Sequence, residues 1–183
     1  MQIKESSKLE VEKKAGNMSD FLRMEYFETC LKQIKSIDIR KFCHEELAKL
    51  YDGRNMFLEA ARHQKAMSDL SITFKEKIQS YVKEIGLWIK ANQLDNADKS
   101  MREVISIANS VEKEEIKKAI KEFYQKQAIA YEKSMRNTNA LKLYEKLFEI
   151  SNEAEKTLIK EKLLFLYDKL GKIREYMRLK GQA

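Results

Sequence analysis

An aromatic residue recurs four times along this chain with Ala or another apolar residue nine positions behind it. The pairs are Tyr51 with Ala60, Trp88 with Ala97, Tyr131 with Ala140, and Tyr167 with Tyr176. Successive aromatics are 37, 43 and 36 residues apart. A period of this size belongs to a supersecondary unit that cannot bury its apolar face alone and stacks on copies of itself. Small Ala60, Ala97 and Ala140 would let two antiparallel helices approach closely against the ring of the first. The recurrence points to a row of helical hairpins, and it shifts the expected function towards holding a partner and away from catalysis.

Punctuation agrees. The 183 residues contain no Pro and only five Gly, in a chain rich in helix formers. Strands, β-hairpins and long loops draw on those two residues, so their scarcity predicts an almost wholly helical protein. A hydrophobic share of 43% beside 36% charged residues is enough for a folded core. No apolar run approaches the length of about 20 residues that spans a bilayer. The polar start Met1–Ser7 leads into no apolar core of a signal peptide. Two cysteines, Cys30 and Cys43, are too few for a disulfide framework and read as reduced thiols of a cytoplasmic protein.

About ten helices are expected. The first two, Ser6–Lys14 closing at a left-handed Gly16, and one after Ser19 with Phe21, Leu22, Tyr26, Leu31 and Ile34 on one stripe, lack the aromatic spacing. They form a capping segment over residues 1–38. Residues 39–183 hold the repeats. The first pairs Ile39–Asp52 with Asn55–Leu70, broken at Gly53 with Asn55 as cap. The second pairs Ile72–Ala91 with a helix capped by Asp95 and ending near Asn109. The third runs Glu112–Arg136, turns at Asn137-Thr138-Asn139 and continues to Ile150. The last breaks at Gly171. In the third, Ile116, Ile120, Phe123, Tyr124, Ala128 and Tyr131 fall three to four apart as one apolar stripe, answered by Ala140, Tyr144, Leu147 and Phe148.

These residues resemble the tetratricopeptide repeat, in which an aromatic on the first helix stands nine positions before a small residue on the second. Large or apolar residues follow four and seven positions after the small one, as in Met101 and Tyr144, and in Met67, Val104 and Leu147. The segment from Ala130-Tyr131-Glu132-Lys133 to Tyr144-Glu145-Lys146 is the nearest match, and Leu166–Gly171 is next. The repeat-ending Pro of the family is absent, and the spacings exceed its 34 residues. The resemblance implies an all-α, right-handed solenoid of about five antiparallel hairpins. It also implies that residues five before and two after each aromatic line a concave face. Those positions hold Glu46 and Gly53, Lys83 and Lys90, Lys126 and Lys133, and Lys162 and Lys169. Six Lys in register would attract an acidic peptide or partner protein. The family's carboxylate clamp places Asn at the earlier position, and none stands there.

The formal charge is +7. From Val111 onward 17 Lys/Arg face 12 Asp/Glu, so +5 of it lies in the last two repeats. Single-stranded RNA is a second candidate partner, but stacking on nucleobases calls for Arg and free aromatics, and the chain has eight Arg with most rings at core positions. Ahead of RNA stands the alternative of a structural subunit of a larger assembly or homo-oligomer, since Tyr176, Met177 and Leu179 in the last hairpin would be left partly uncovered for self-association. Cys30, Cys43, His44 and His63 lack the short spacings of a metal site, no phosphate loop or nucleophile motif occurs, and no cofactor or enzymatic activity is expected.

Overall fold

The structure is a computed structural model and describes residues 2–181. Ten helices follow one another: α1 (Lys8–Gly16), α2 (Asp20–Gln33), α3 (Ile37–Gly53), α4 (Phe57–Asp69), α5 (Phe74–Lys90), α6 (Leu94–Ile107), α7 (Ser110–Lys133), α8 (Asn137–Ile150), α9 (Glu153–Lys169) and α10 (Ile173–Lys180). No strand occurs among the described residues. The chain divides into two compact units, Met1–Asn109 and Ser110–Ala183, and the division falls inside the span read from sequence as continuous repeats. In the first unit α3, α4, α5 and α6 each pack on their chain neighbours; in the second α7, α8, α9 and α10 do the same.

One turn geometry closes α3, α5, α7 and α9. Four residues after the aromatic, Asn55, Asn92, Met135 and Gly171 take φ of 59°, 56°, 59° and 67°. Their N–H groups donate to Asp52, Ile89, Glu132 and Asp168, one residue past each ring, at 2.9–3.0 Å. The next N–H groups, of Met56, Gln93, Arg136 and Lys172, donate to the carbonyls of Tyr51, Trp88, Tyr131 and Tyr167 at 2.8–2.9 Å. This pair of bonds is the Schellman closure, which satisfies carbonyls that a helix end leaves orphaned. The same four residues then accept, at 3.0–3.1 Å, from the N–H of Ala60, Ala97, Ala140 and Tyr176. Aromatic and ninth residue are thus tied to one shared turn residue, and the sequence spacing is set by the backbone.

That turn revises several sequence expectations. Asn55 does not cap α4 but supplies the left-handed residue, and Gly53 is simply the last residue of α3. Asp95 lies inside α6, which starts after Gln93 without a side-chain cap. The third turn falls at Ser134–Arg136, with Asn137 already helical. Gly16 is not left-handed; its helix runs into Asn17, and Ser7 caps the start by accepting from Glu10 N–H. In α2, Phe21 and Leu22 point outward at 67% and 51% exposure, while Tyr26, Phe27 and Cys30 face in. The N-terminal helices lean on α3, where Val11, Ala15, Tyr26, Phe27, Ile39, Phe42 and Leu47 form one cluster.

Most of the recurring rings and all three small residues face inward. Ala60, Ala97 and Ala140 are wholly covered, and Trp88, Tyr131 and Tyr167 are buried. Tyr51 is half-buried and stacks on His63 with ring centroids 5.3 Å apart. Polar tips of buried rings reach carboxylates: Tyr81 donates to Glu103, Tyr144 to Glu132 and Tyr167 to Glu145 at 2.9–3.1 Å. Each ring buries its body and keeps a partner for its hydroxyl. Burial, reinforced by Glu103, pushes Tyr81 up to about 12, and burial raises Tyr144 and Tyr167 as well.

Candidate functional site

First helices of successive hairpins are tied side by side within each unit. In the first, Lys41 of α3 meets Glu76 at 3.1 Å and Lys90 of α5 meets Asp52 at 2.7 Å. In the second, Lys121 of α7 meets Glu155 at 2.6 Å and Lys162 of α9 meets Glu132 at 3.2 Å. Glu132 accepts from both Tyr144 and Lys162, so one carboxylate joins α7, α8 and α9.

The six lysines singled out by register divide by unit and by pairing. Lys83 and Lys90 lie on α5. Lys83 is exposed; Lys90 is engaged by Asp52 and lies 5.3 Å over the Phe57 ring. Lys126 and Lys133 lie on α7, Lys162 and Lys169 on α9, and all four are exposed. Lys126 faces Glu122 one turn back at 3.4 Å, a pair of little energetic weight at its exposure. Lys169 lies 5.6 Å over the ring of Phe165. Lys126, Lys133, Lys162 and Lys169 therefore keep their side chains at the surface.

Between those lysines stand apolar side chains that register alone did not mark. Ile129 is 37% exposed and Phe165 59%, with Leu158 at 71% two turns before Phe165 on α9. Ile129 and Phe165 each precede the repeat aromatic by two residues. The octets Lys126–Lys133 (KQAIAYEK) and Lys162–Lys169 (KLLFLYDK) both read Lys, two residues, apolar, one residue, Tyr, acidic, Lys. Positions three and four apart are neighbours on a helix, so each knob lies between its two lysines. The α5 octet, Lys83–Lys90 (KEIGLWIK), has buried Gly86 at the knob position. The signal was present in the sequence as this shared octet; the aromatic-plus-nine period drew attention to the inner face alone.

Two polar clusters lie inside the first unit. His44 of α3 and His63 of α4, nineteen residues apart in sequence, meet Nδ1 to Nδ1 at 3.0 Å, and His63 Nε2 lies 3.2 Å from Glu28 on α2. With Glu28 taking the Nε2 proton's bond, the His63 Nδ1 accepts and the His44 Nδ1–H donates. Burial, with His63 and Arg40 nearby, holds His44 down to about 4, and burial also lowers His63. Deeper, the fully covered Glu84 of α5 accepts from Trp88 Nε1 at 2.9 Å and Ser100 Oγ at 2.5 Å, with Lys65 Nζ at 3.9 Å. Cys30 and Cys43 are buried free thiols; a hydrogen bond between them raises Cys43 and lowers Cys30. Among the described residues no three His, Cys, Asp or Glu side chains converge as metal ligands.

The last hairpin holds a cleft of about 350 Å³ between α8, α9 and α10, with Leu163 and Leu179 at its floor and Glu145, Glu149, Glu175 and Arg178 around it. Leu179 is buried rather than uncovered, Tyr176 is half-buried beneath Lys180, and Met177 is 62% exposed. No helix among the described residues is long and apolar enough to cross a membrane. No protein-family model matches the chain, and no curated protein matches it in sequence.

Proposed function

We propose that this chain is a non-catalytic adaptor built of tetratricopeptide-like hairpins in a right-handed solenoid, and that it binds an acidic segment of another protein along its exposed lysines. The observation that supports this reading is the repetition of one turn geometry at one offset from four aromatics, together with exposed Lys126, Lys133, Lys162 and Lys169 on two helices joined by the Lys162–Glu132 pair. Pre-packed helices present such a surface with little ordering entropy to lose on binding. Four ammonium groups on one face also raise the local concentration of an anionic segment and its association rate, with an effect that weakens as salt rises.

The test is fluorescence anisotropy with a labelled oligo-glutamate peptide on the full chain. Lys126→Glu with Lys133→Glu should weaken binding several-fold while helicity and melting stay unchanged. Equal affinity of the reversed variant and the parent would remove the proposal.

A further inference from the structure

We infer that the α7–α9 face takes a segment that is apolar as well as acidic: an amphipathic stretch whose hydrophobic side chains seat on Ile129, Leu158 and Phe165 while its carboxylates meet Lys126, Lys133 and Lys169. This rests on the adaptor reading and specifies its partner. Ile129, Leu158 and Phe165 stand 37–71% exposed on α7 and α9; the other large apolar side chain exposed on these helices among the described residues, Val111, lies at the far start of α7. Two of them occupy the same place in a repeated octet, two residues before the ring that anchors each helix in the core. The ring and the knob therefore face opposite ways by the same offset in both helices, and the interhelical pairs Lys121–Glu155 and Lys162–Glu132 tie α7 to α9.

Charge selects the occupant. A second copy of this face would oppose lysine with lysine, on a chain that carries +7 overall. A flat anionic bilayer would press on exposed Glu122 and Glu161 as well as on the lysines, whereas a peptide can place its acidic groups selectively. Single-stranded nucleic acid draws on Arg and stacking rings, yet the unit's three arginines, Arg136, Arg174 and Arg178, stand at a turn and on α10. Phe165, the one aromatic knob, is already covered on one side by Lys169. Burying two or three such side chains adds more discrimination than the exposed ion pairs do.

The experiment compares two short fluorescein-labelled peptides on the full chain at physiological ionic strength. One alternates Glu with Leu and Phe at helical spacing, and the other replaces each Leu and Phe by Ser. The first is expected to bind at least about tenfold more tightly, the gain of burying one to two large side chains. Ile129→Ser with Phe165→Ser should abolish that difference, Phe165→Leu should restore most of it, and Lys83→Glu should leave it intact. Because both knobs are exposed, circular dichroism should be unchanged by the double substitution. Equal affinity for the two peptides overturns the amphipathic inference and leaves the lysine face standing. Binding of neither overturns both. Displacement of the first peptide by oligo(U) or by phosphatidylserine vesicles at equal anionic charge overturns the choice of a peptide partner.

Discussion

Met1–Asn109 and Ser110–Ala183 close their hairpins with the same turn and seat the same kind of ring, yet they bury different chemistry. The first unit encloses His44, Gln64, Ser68, Ser80, Glu84 and Ser100 among its apolar residues, while Ser151 is the one buried polar side chain of the second among the described residues. The outer faces differ in the opposite sense. From Val111 onward the net charge is +5, against +2 for the 110 residues before it, and the apolar knobs of α7 and α9 have a buried glycine as their counterpart in α5. The turn and the ring thus determine the hairpin, whereas the interior polarity and the solvent face vary from one unit to the other. A buried polar network that is satisfied specifies its unit, and a partly satisfied one weakens it. Glu84 shows both sides, with Oε1 bonded twice and Oε2 buried without a hydrogen-bond partner.

The comparison breaks most readily at Trp88. It is 5% exposed and donates to Glu84, so Trp88→Ala removes a large core side chain and leaves the carboxylate short of a donor. About 3–5 kcal/mol should be lost from the first unit. Hydrogen exchange followed by mass spectrometry should show α4–α6 opening while α7–α9 keep their protection.

Acid should separate the units next. Both histidines lie in the first unit and are held neutral below the ordinary 6.5. The unfolded chain therefore binds more protons as pH falls through 6.5, and stability present above that pH is lost progressively towards about 4. For His44 alone the loss approaches about 3 kcal/mol. Urea unfolding monitored through Trp88 fluorescence should weaken across this window, and protection in α7–α9 should hold through it. A variant with His44→Phe should flatten the dependence.

Smaller effects sharpen the shared features. Met135 holds φ of 59°, a region costly for side chains with a Cβ, so Met135→Gly should stabilise the second unit by about 0.5–1 kcal/mol in chemical denaturation. Lys162→Ala breaks an ion pair whose lysine is 52% exposed, and its effect on the melting curve should stay within about 0.5 kcal/mol.

Much of the hairpin pattern was legible because the ring, the turn and the small residue lie within ten residues and are bound by local backbone geometry. The last turn residue, Gly171, stands where the sequence places it, whereas the first and third turns fall elsewhere. Gly53 and Asn137–Asn139 carry turn chemistry in isolation, but the left-handed position falls four after the ring whatever stands there, even Met135. Phe21 and Leu22 were misread because adjacent apolar residues in α2 allow two overlapping stripes, and packing against α1 and α3 selects Tyr26, Phe27 and Cys30. The His44–His63 contact joins different helices, and no spacing rule reaches it. The lysine register was visible, but whether each ammonium is free depends on neighbours such as Asp52 and Glu132 that only tertiary packing supplies.

The proposal assigns recognition to the outer face of the second unit. It is tested most directly by amide and methyl NMR of the full chain titrated with the Glu–Leu–Phe peptide. Shifts should concentrate at Ile129, Leu158, Phe165 and the lysines beside them, with α3–α6 unmoved. Shifts centred on Lys83 and Lys90, or spread evenly over both units, would contradict the account.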